Sequence, residues 1–283
     1  MTMEAVSEIG GVRRVRGADP SASWGLVPTM GFLHAGHLDL VRRARAENDR
    51  VGVSIFVNPI QFNNPGDLEK YPRDMDRDMA LLEKEGVDLL WIPTPEIMYP
   101  PGYQTYVDVT QVSTFLEGAS RPGHFRGVAT VVAKLFNVFQ PTRAYFGQKD
   151  AQQVSVIRRM VKDLDFNLRV VICPTVREKD GLAMSSRNVR LTPGNRRQAV
   201  CLFMALSAAE NAFRSGSRDA EYLRGVMRAV VSEAPSARID YISVADPETL
   251  GELETVHQGA LLSLAVFFGD VRLIDNIILK PGE

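Results

Sequence analysis

The chain has 283 residues, 45% of them apolar, and its 33 Lys and Arg residues nearly balance 34 Asp and Glu residues. This composition is typical of a globular protein with ample core material, and the length suggests about two domains of roughly 100 to 200 residues each. A net charge of −1 gives no electrostatic reason to expect a nucleic acid or an anionic membrane as partner. Any anion must therefore be bound by a local cluster of positive groups.

The N-terminal residues lack the charged start and apolar run of a signal peptide, and no stretch approaches the roughly 20 apolar residues that span a bilayer. Cys173 and Cys201, the two cysteines of the chain, have no metal-ligand spacing and cannot form a disulfide framework. We expect both to be buried thiols of a reducing compartment, and the protein to be cytoplasmic.

Through the first 175 residues, short apolar runs rich in β-branched residues alternate with helical patterns. Nearly continuous apolar character predicts strands that are covered on both faces. The alternation predicts an α/β fold, in which helices cover both faces of a parallel sheet. The predicted strands are residues 24–28, 51–57, 87–92, 143–147 and 168–173, and helical patterns lie between them at 38–47, 74–85, 128–139 and 154–164.

After Pro174 the order of elements changes. Helical segments at 193–214 and 219–233 precede strand-like runs at 239–244, 261–268 and 271–279. This order is typical of an α+β domain, so we predict one domain over residues 1–175 and a smaller one over 176–283. The cleft between two domains is the default place for a ligand.

The first candidate site is the segment PTMGFLHAGH, residues 28–37. A predicted strand ends there, a glycine-containing turn follows, and a helix opens near Gly36, whose N-terminus presents free N–H groups to a phosphate. His34 and His37 lie three residues apart, so both imidazoles can face one anion and stabilise the charge that develops in nucleotidyl transfer. A G-x-G-x-x-G fingerprint is absent from the sequence, which argues against NAD or FAD.

Two further segments carry groups that suit phosphate. YFGQKD, residues 145–150, repeats the strand, turn and helix pattern and offers Lys149 as a mobile positive charge. GLAMSSRN, residues 181–188, offers Ser185, Ser186 and Arg187 as donors on a loop at the domain boundary. Taken singly, Lys149 is also explained as a surface charge and the loop as an interdomain linker, so both interpretations stay open.

Polar side chains also follow the second predicted strand and precede the helical pattern at 128–139. They are Asn58 and Gln61 in the first stretch, and Arg121, His124 and Arg126 in the second. An amide can bind a hydroxyl or a carboxylate, and Arg can bind a carboxylate bidentately. Each of these residues alone is equally compatible with ordinary turn chemistry.

Taken together, these motifs resemble the pantothenate synthetase family, also called pantoate–β-alanine ligases. The resemblance covers nearly the whole chain and includes PTMGFLHAGH, SIFVNPIQF, YPRD, RPGHFRGVATVV, YFGQKDAQQ, PTVREKDGLAMSSRN and RLIDN, in this order. The H-A-G-H segment alone marks only the wider nucleotidylyltransferase superfamily. The resemblance implies a Rossmann-type N-terminal domain, a small C-terminal domain that acts as a lid, and a homodimer built through the N-terminal domain.

The same resemblance implies a reaction in two steps. ATP and pantoate first give pantoyl adenylate and pyrophosphate, and the amine of β-alanine then attacks the acyl carbon and releases AMP and pantothenate. Magnesium accompanies the nucleotide, and we expect the phosphates and waters rather than a protein cluster to hold it. Asp74, Asp76 and Asp78 resemble a carboxylate group, but their spacing favours a solvated helix face.

Roles are implied residue by residue. His37 matches the histidine usually assigned as proton donor, His34 supports the phosphates beside it, and Lys149 contacts the phosphates. Val176 contributes a backbone contact to adenine, and residues 184–187 form a loop that closes on ATP. The implied ATP site consists of Met30, Gly31, Phe32, Leu33, His34, Ala35, Gly36, His37, Gly147, Gln148, Lys149, Asp150, Val176, Met184, Ser185, Ser186 and Arg187.

For the other substrates the resemblance implies a pair of glutamines. Gln61 and Gln153 hold pantoate, and Gln61 is also placed at the β-alanine site; Asn58, Tyr71 and Arg121 match weaker positions near that pocket. A nucleotidylyltransferase with a phosphate-bearing acceptor would need Arg or Lys where this chain offers two amides. A third possibility, a nucleotide-binding regulator, would bind ATP and release no pyrophosphate when given pantoate.

Overall fold

The computed structural model describes residues 2–280, which form two separate sheets with their helices. The strands are β1 (Glu4–Val6), β2 (Trp24–Thr29), β3 (Arg50–Ile55), β4 (Leu89–Trp91), β5 (Arg143–Gly147), β6 (Arg169–Cys173), β7 (Ala237–Ala245), β8 (Ala260–Phe268) and β9 (Val271–Leu279). The α-helices are α1 (Ile9–Gly17), α2 (Ala35–Glu47), α3 (Pro65–Glu69), α4 (Met75–Lys84), α5 (Pro95–Met98), α6 (Leu116–Ser120), α7 (His124–Phe139), α8 (Ala151–Asp163), α9 (Pro193–Gln198), α10 (Cys201–Arg214) and α11 (Ala220–Ser232). Short 3-10 turns cover Pro59–Gln61, Gln148–Asp150 and Ser186–Arg190.

The first sheet has six parallel strands in the order β1-β4-β3-β2-β5-β6. Its central strands β2 and β3 are buried almost throughout, which is why they appear in the sequence as continuous apolar runs. Helix α7 packs so closely on this sheet that a Cβ atom at Gly52 would lie 2.5 Å from the Phe139 ring. The predicted α/β fold is confirmed.

The order of the strands creates a crevice between β2 and β5. From β2 the chain runs through β3 to β4 on one side, and it then crosses to β5 and β6 on the other. In such sheets the carboxyl ends of the two diverging strands form the usual ligand-binding crevice. The two segments predicted to meet phosphate, residues 28–37 and 145–150, follow these two strands.

The second sheet is an antiparallel meander, β7-β8-β9, on which α10 and α11 pack. Its core is separate from that of the first sheet and includes Leu206, Leu223 and Leu264, all fully buried. The predicted α+β character of this part of the chain is confirmed, whereas the boundary at residue 175 remains a prediction. Within residues 2–280, no helix combines the length and apolar character that a membrane crossing needs.

Three details differ from the predicted elements. The short edge strand β1 and helix α1 were not predicted, because three residues make no periodic pattern and α1 buries only Val12 fully. The predicted helix over 193–214 is interrupted between α9 and α10. There, Ala199 and Val200 stay in the right-handed helical region with ψ of −19° and −23°, so the sequence pattern continues although the α-helical hydrogen bonding does not.

Candidate active site

A cavity of about 220 Å³ lies at the carboxyl ends of β2 and β5. It is bounded by the turn after β2, the 3-10 turn after β3, the start of α8 and the loop that leads to the second sheet. The predicted site residues that line it are Met30, His34, Gly36, His37, Gln61, Gly147, Lys149, Asp150, Gln153, Val176, Met184, Ser185, Ser186 and Arg187. Asn58, Tyr71, Arg121 and His124 line it as well.

The other predicted ATP-site residues lie beside the cavity rather than in its wall. Leu33 is only 1% exposed and belongs to the core, Gly31 is buried in the turn, and the Phe32 ring lies under a guanidinium. Ala35 is exposed at the start of α2, and Gln148 is hydrogen-bonded to the second sheet. The side chains of these five residues therefore support or flank the cavity.

His34 and His37 bond to the helix start in a reciprocal way. His34 is the N-cap of α2, and its Nδ1 accepts a hydrogen bond from the Gly36 N–H at 3.2 Å. The Nδ1 of His37 accepts from the His34 N–H at 3.3 Å. The two rings lie with their centroids 4.0 Å apart. The sequence predicted that both imidazoles can face one anion, and in the structure these bonds hold both rings at the wall of the same cavity.

These bonds also define the tautomer of each ring. A backbone N–H can only donate, so each Nδ1 must carry a lone pair, and the proton of the neutral ring is on Nε2. Burial, and then the charge of Lys149, lowers the pKa of His34 to about 4; burial, then His34 and then Lys149 hold the pKa of His37 well below its usual range. Near neutral pH the site therefore presents two uncharged N–H donors.

His124 has the opposite tautomer. Its Nδ1 lies 2.8 Å from the Gln61 carbonyl oxygen and its Nε2 lies 3.2 Å from an Arg121 guanidinium nitrogen. A carbonyl only accepts and a guanidinium only donates, so the proton of His124 is on Nδ1. Burial, followed by the charge of Arg121, lowers the pKa of His124 to about 4. This histidine supports the backbone of Gln61 and is not a free donor.

The Gln61 side chain is held by its neighbours. Its Oε1 accepts from Asn58 Nδ2 at 3.0 Å, and its Nε2 lies 3.2 Å from the Met30 sulfur. Asn58 is itself fixed, since its Oδ1 accepts from the Tyr99 hydroxyl at 2.8 Å and its amide donates to the Gly127 carbonyl at 3.2 Å. Asn58 thus orients the amide of Gln61. The family resemblance had implied only that Asn58 lies near this pocket.

The loop that carries Lys149 is held by the second sheet. Asn276 on β9 donates to the carbonyls of Gln148 and Lys149 at 3.1 and 2.8 Å and accepts from the Gln148 side chain at 3.0 Å. Within residues 2–280, no side chain pairs with the Lys149 ammonium or with the Gln153 amide. Both groups are therefore available to a ligand. The segment RLIDN, residues 272–276, supports the backbone of Lys149 through Asn276.

The loop over residues 184–187 lies against the histidine turn. The Ser186 hydroxyl donates to the Phe32 carbonyl at 3.3 Å, and the Met184 N–H donates to the Val176 carbonyl at 3.0 Å. Arg187 forms an ion pair with Asp67 at 2.9 Å, and Arg190 pairs with the same carboxylate. Burial raises the pKa of Asp67, but the two guanidinium groups outweigh it and leave that pKa below its usual value.

Asp78 corrects one prediction. The expected solvated face holds for Asp76, which is exposed, but Asp78 is only 1% exposed. Its two carboxylate oxygens accept from the N–H groups of Phe32 and Leu33 at 2.6 and 2.8 Å. The prediction was wrong for this residue because three acidic residues at alternate positions of one helix need not share a face. Among residues 2–280, no group of three His, Cys, Asp or Glu side chains could hold a metal ion.

A second cavity of about 520 Å³ adjoins the first and lies between the two sheets. The cavities share Arg121, Lys149 and Gln153 among their lining residues. Arg272 and Glu117 also line the second cavity, where Arg272 donates to Glu117 at 2.7 Å, so an ion pair joins the N-terminal part of the chain to β9. The site is therefore open toward the cleft that the sequence led us to expect between two domains.

Two neutral imidazole donors and a free ammonium, placed at the crevice of a parallel sheet, define a nucleotide-binding enzyme of the α/β class. Comparisons with known proteins narrow this class. The family model described as pantoate-beta-alanine ligase matches residues 2–278. Pantothenate synthetases of Roseiflexus castenholzii and Gluconobacter oxydans are 58% and 55% identical to the chain, each over 98% of it and 100% of the relative.

Solved structures agree with this assignment. Pantothenate synthetase from Thermus thermophilus superposes with a TM-score of 0.94 at 48% identity, covering 99% of this chain and 100% of that one. The pantoate-beta-alanine ligase of Francisella tularensis, complexed with beta-gamma ATP and β-alanine, has a TM-score of 0.83 at 36% identity, over 99% of each chain. The chain belongs to the pantoate–β-alanine ligase family, and the prediction of a ligase of this family is confirmed.

Proposed function

We propose that this chain condenses pantoate with β-alanine at the expense of ATP, through a pantoyl adenylate. The observation that carries the proposal is the pair of neutral Nε2–H donors of His34 and His37, which face one cavity together with the unpaired Lys149. A carboxylate oxygen of pantoate attacks the α-phosphorus of ATP, the bond to the β-phosphate oxygen breaks, and pyrophosphate leaves. This step needs no proton transfer, but it needs donors where negative charge increases.

The two histidines suit that task as hydrogen-bond donors rather than as acids. An imidazolium would need a pKa near the working pH to give up its proton efficiently, whereas the pKa of His34 is about 4. A fixed, uncharged N–H that points at the developing phosphate charge stabilises the transition state without having to reorganise. We therefore assign His34 and His37 to charge stabilisation at the α-phosphate and the leaving group.

Lys149 and Arg187 supply the positive charge. Lys149 has no counter-ion within residues 2–280, so it can neutralise the phosphates directly. Arg187 is paired with Asp67 and must leave that carboxylate to bind ATP. We place the adenine beside Val176, and we assign the loop with Met184, Ser185 and Ser186 to the covering of the triphosphate. A covered site protects the mixed anhydride from water.

We assign the binding of pantoate to Gln61 and Gln153. Pantoate has a carboxylate and two hydroxyls, and an amide can donate to the former and accept from the latter. The Gln61 amide is fixed by Asn58, and the Gln153 amide has no partner within the described chain. The uncharged amine of β-alanine then attacks the acyl carbon from the Gln61 side, the bond to the AMP oxygen breaks, and one proton is released.

Magnesium, dimer formation and location also belong to the proposal. Asp150 lines the cavity next to Lys149, and one carboxylate beside the phosphates suits Mg²⁺, which keeps most of its waters and binds phosphate oxygens. Bound Mg²⁺ would neutralise phosphate charge. A homodimer and a cytoplasmic location rest on the family resemblance. The buried free thiols of Cys173 and Cys201 agree with a reducing compartment.

The test is pyrophosphate release from the purified protein with Mg-ATP and pantoate, first without and then with β-alanine. We expect release of about one equivalent per site, followed by turnover when β-alanine is added. If folded protein binds ATP and releases no pyrophosphate with pantoate, the proposal fails. A phosphate-bearing acceptor tried in parallel would then identify the alternative nucleotidylyltransferase, and inactivity with every acceptor would favour the regulator.

A further inference from the structure

We propose that Asp78 is a positioning residue for adenylate formation, because its buried carboxylate fixes the turn that presents His34 and His37 to the nucleotide. The inference rests on the proposed function in so far as the two imidazoles act on the phosphates. Asp78 lies in the first turns of α4, outside the walls of both cavities, so any effect on the reaction must pass through the turn.

The geometry is that of one carboxylate held by two successive backbone donors. Asp78 Oδ2 accepts from Phe32 N at 2.6 Å and Oδ1 accepts from Leu33 N at 2.8 Å. Hydrogen bonds to a charged acceptor are about twice as strong as neutral ones. Leu33 directly precedes His34, so these bonds end one residue before the N-cap of α2.

The turn needs such support because of its backbone conformation. Gly31 has φ of 80° and Phe32 has φ of 50°. The left-handed region costs a non-glycine residue roughly 1–2 kcal/mol, so Phe32 keeps this conformation only if other contacts hold it there. Successive N–H groups that converge in a turn form an anion-binding concavity. Here the occupant of that concavity is the side chain of Asp78, not a phosphate.

Arg77, the residue before Asp78, contacts the same two residues. Its guanidinium donates to the Leu33 carbonyl at 2.9 Å and lies 5.3 Å from the centre of the Phe32 ring. Asp78 thus accepts from both backbone N–H groups of residues 32 and 33, and Arg77 donates to one of their carbonyl groups. This gives the start of α4 a role in positioning the histidines, although neither Arg77 nor Asp78 lines either cavity.

The experiment is a mutant cycle between Asp78→Asn and the combined replacement His34→Ala/His37→Ala, read as the single-turnover rate of pyrophosphate release. Asparagine has the same shape, but it accepts only with Oδ1 and sets an NH₂ group against the second backbone donor. We expect a loss of about 10- to 100-fold in the wild-type background, the scale for a misplacement of about 1 Å. In the background that lacks both imidazoles the same change should cost less than about 3-fold, because the groups it positions are gone.

Asp76→Asn is the matched control, since Asp76 is exposed on the same helix, and it should leave the rate unchanged. An equal loss from Asp78→Asn in both backgrounds, or none in the wild type, overturns the positioning role. If His34→Ala/His37→Ala itself retains full activity, the proposed function of the imidazoles fails, and the role of Asp78 fails with it. If Asp78→Asn does not fold, Arg77→Ala takes its place in the cycle, because that side chain is half-exposed.

Discussion

The two groups that we assign to the phosphates of ATP are built on opposite principles. The histidine turn presents uncharged donors whose orientation is fixed by backbone hydrogen bonds and by the buried Asp78. The loop at 184–187 presents the permanent charge of Arg187, which pairs with Asp67 where solvent reaches both side chains. The histidine turn is complete without a ligand, whereas in our proposal Arg187 exchanges Asp67 for the nucleotide.

The energies of these contacts explain the difference. An ion pair that solvent reaches contributes only about 0–1 kcal/mol, so a triphosphate can compete with Asp67 for Arg187. A buried carboxylate that loses its donors is far more costly, so Asp78 and the turn stay together. Fixed neutral donors suit charge that develops only in the transition state. An exchangeable cation suits the loop at 184–187 if, as we propose, it closes on ATP and opens again in each turnover.

The largest loss of activity is expected when one of the fixed imidazole donors is removed. His37→Ala should leave the fold intact and slow adenylate formation by about two to four orders of magnitude, the range for losing a charge-stabilising or proton-transfer group. Single-turnover pyrophosphate release measures the loss, and His257→Ala, at an exposed position between β7 and β8, is the matched control. Full activity of His37→Ala would remove this residue from the mechanism.

A smaller loss is expected for the free cation. Lys149→Ala should slow adenylate formation by roughly 10- to 100-fold, less than the loss of a fixed donor, because water and the remaining cations partly replace an ammonium. Lys162→Ala, on the exposed face of the neighbouring helix, controls for loss of a charge. An unchanged rate in Lys149→Ala would show that Lys149 is a surface charge.

Two neighbouring glutamines separate binding from stability. Gln153→Ala should raise KM for pantoate about 3- to 10-fold, the value of one or two lost hydrogen bonds, and leave KM for ATP unchanged. Gln152→Ala should instead lower the melting temperature, because its side chain bonds to the Glu117 N–H and to the carbonyls of Val112 and Phe115. Equal effects of Gln153→Ala on both substrates would mean that the pantoate site is misplaced.

The proposed exchange at Arg187 can be tested by removing the carboxylate that pairs with it. Asp67→Asn removes the competitor for Arg187 and should lower KM for ATP by about 2- to 5-fold, the scale of one solvent-accessible ion pair. Asp270→Asn removes only the exposed pair with Arg190 and serves as the control. A rise in KM for ATP in Asp67→Asn would show that the ion pair orders the loop for binding instead of competing with the nucleotide.

The smallest effect on the rate is expected from a change of pH near neutrality. Because the pKa of His34 is about 4, the rate of adenylate formation should show no imidazole titration between pH 6 and 8. The folded pKa lies below the unfolded value of about 6.5, so the unfolded state binds more protons between these two values. The unfolding free energy should thus be level above pH 7 and fall as pH drops from 6.5 toward 4. A rate step near pH 6.5 that is lost in His37→Ala would contradict the neutral-donor assignment.

Much of the fold was predictable because its signals are local. Buried parallel strands appear as continuous apolar runs, and the turns after β2 and β5 place glycine and polar residues at one edge of the sheet. The chemical type of the main candidates, His34, His37 and Lys149, also followed from the sequence. The edge strand β1 and helix α1 were missed because their signals are too short or too weakly amphipathic.

The supporting contacts were not predictable, because they join residues far apart in the chain. Asp78 contacts Phe32 and Leu33 across more than 40 positions, and Asn276 supports Lys149 across 127. Asp78 lies near the segment YPRD and Asn276 lies in RLIDN, both of which the resemblance singled out. The amino-acid sequence of these segments does not show which atoms they contact. A local pattern sets burial and helix phase, whereas long-range partners depend on how the elements pack.

By itself, the sequence determined the class of fold and the residue types of the site, since hydrophobic periodicity and turn chemistry act within a few residues. Only the tertiary structure decided the protonation of the histidines. His34 and His37 carry the proton on Nε2 and His124 carries it on Nδ1, because the groups that face each ring differ. The same type of side chain therefore presents an N–H group to the cavity in one place and supports the backbone in another, according to the hydrogen-bond partners that folding brings to it.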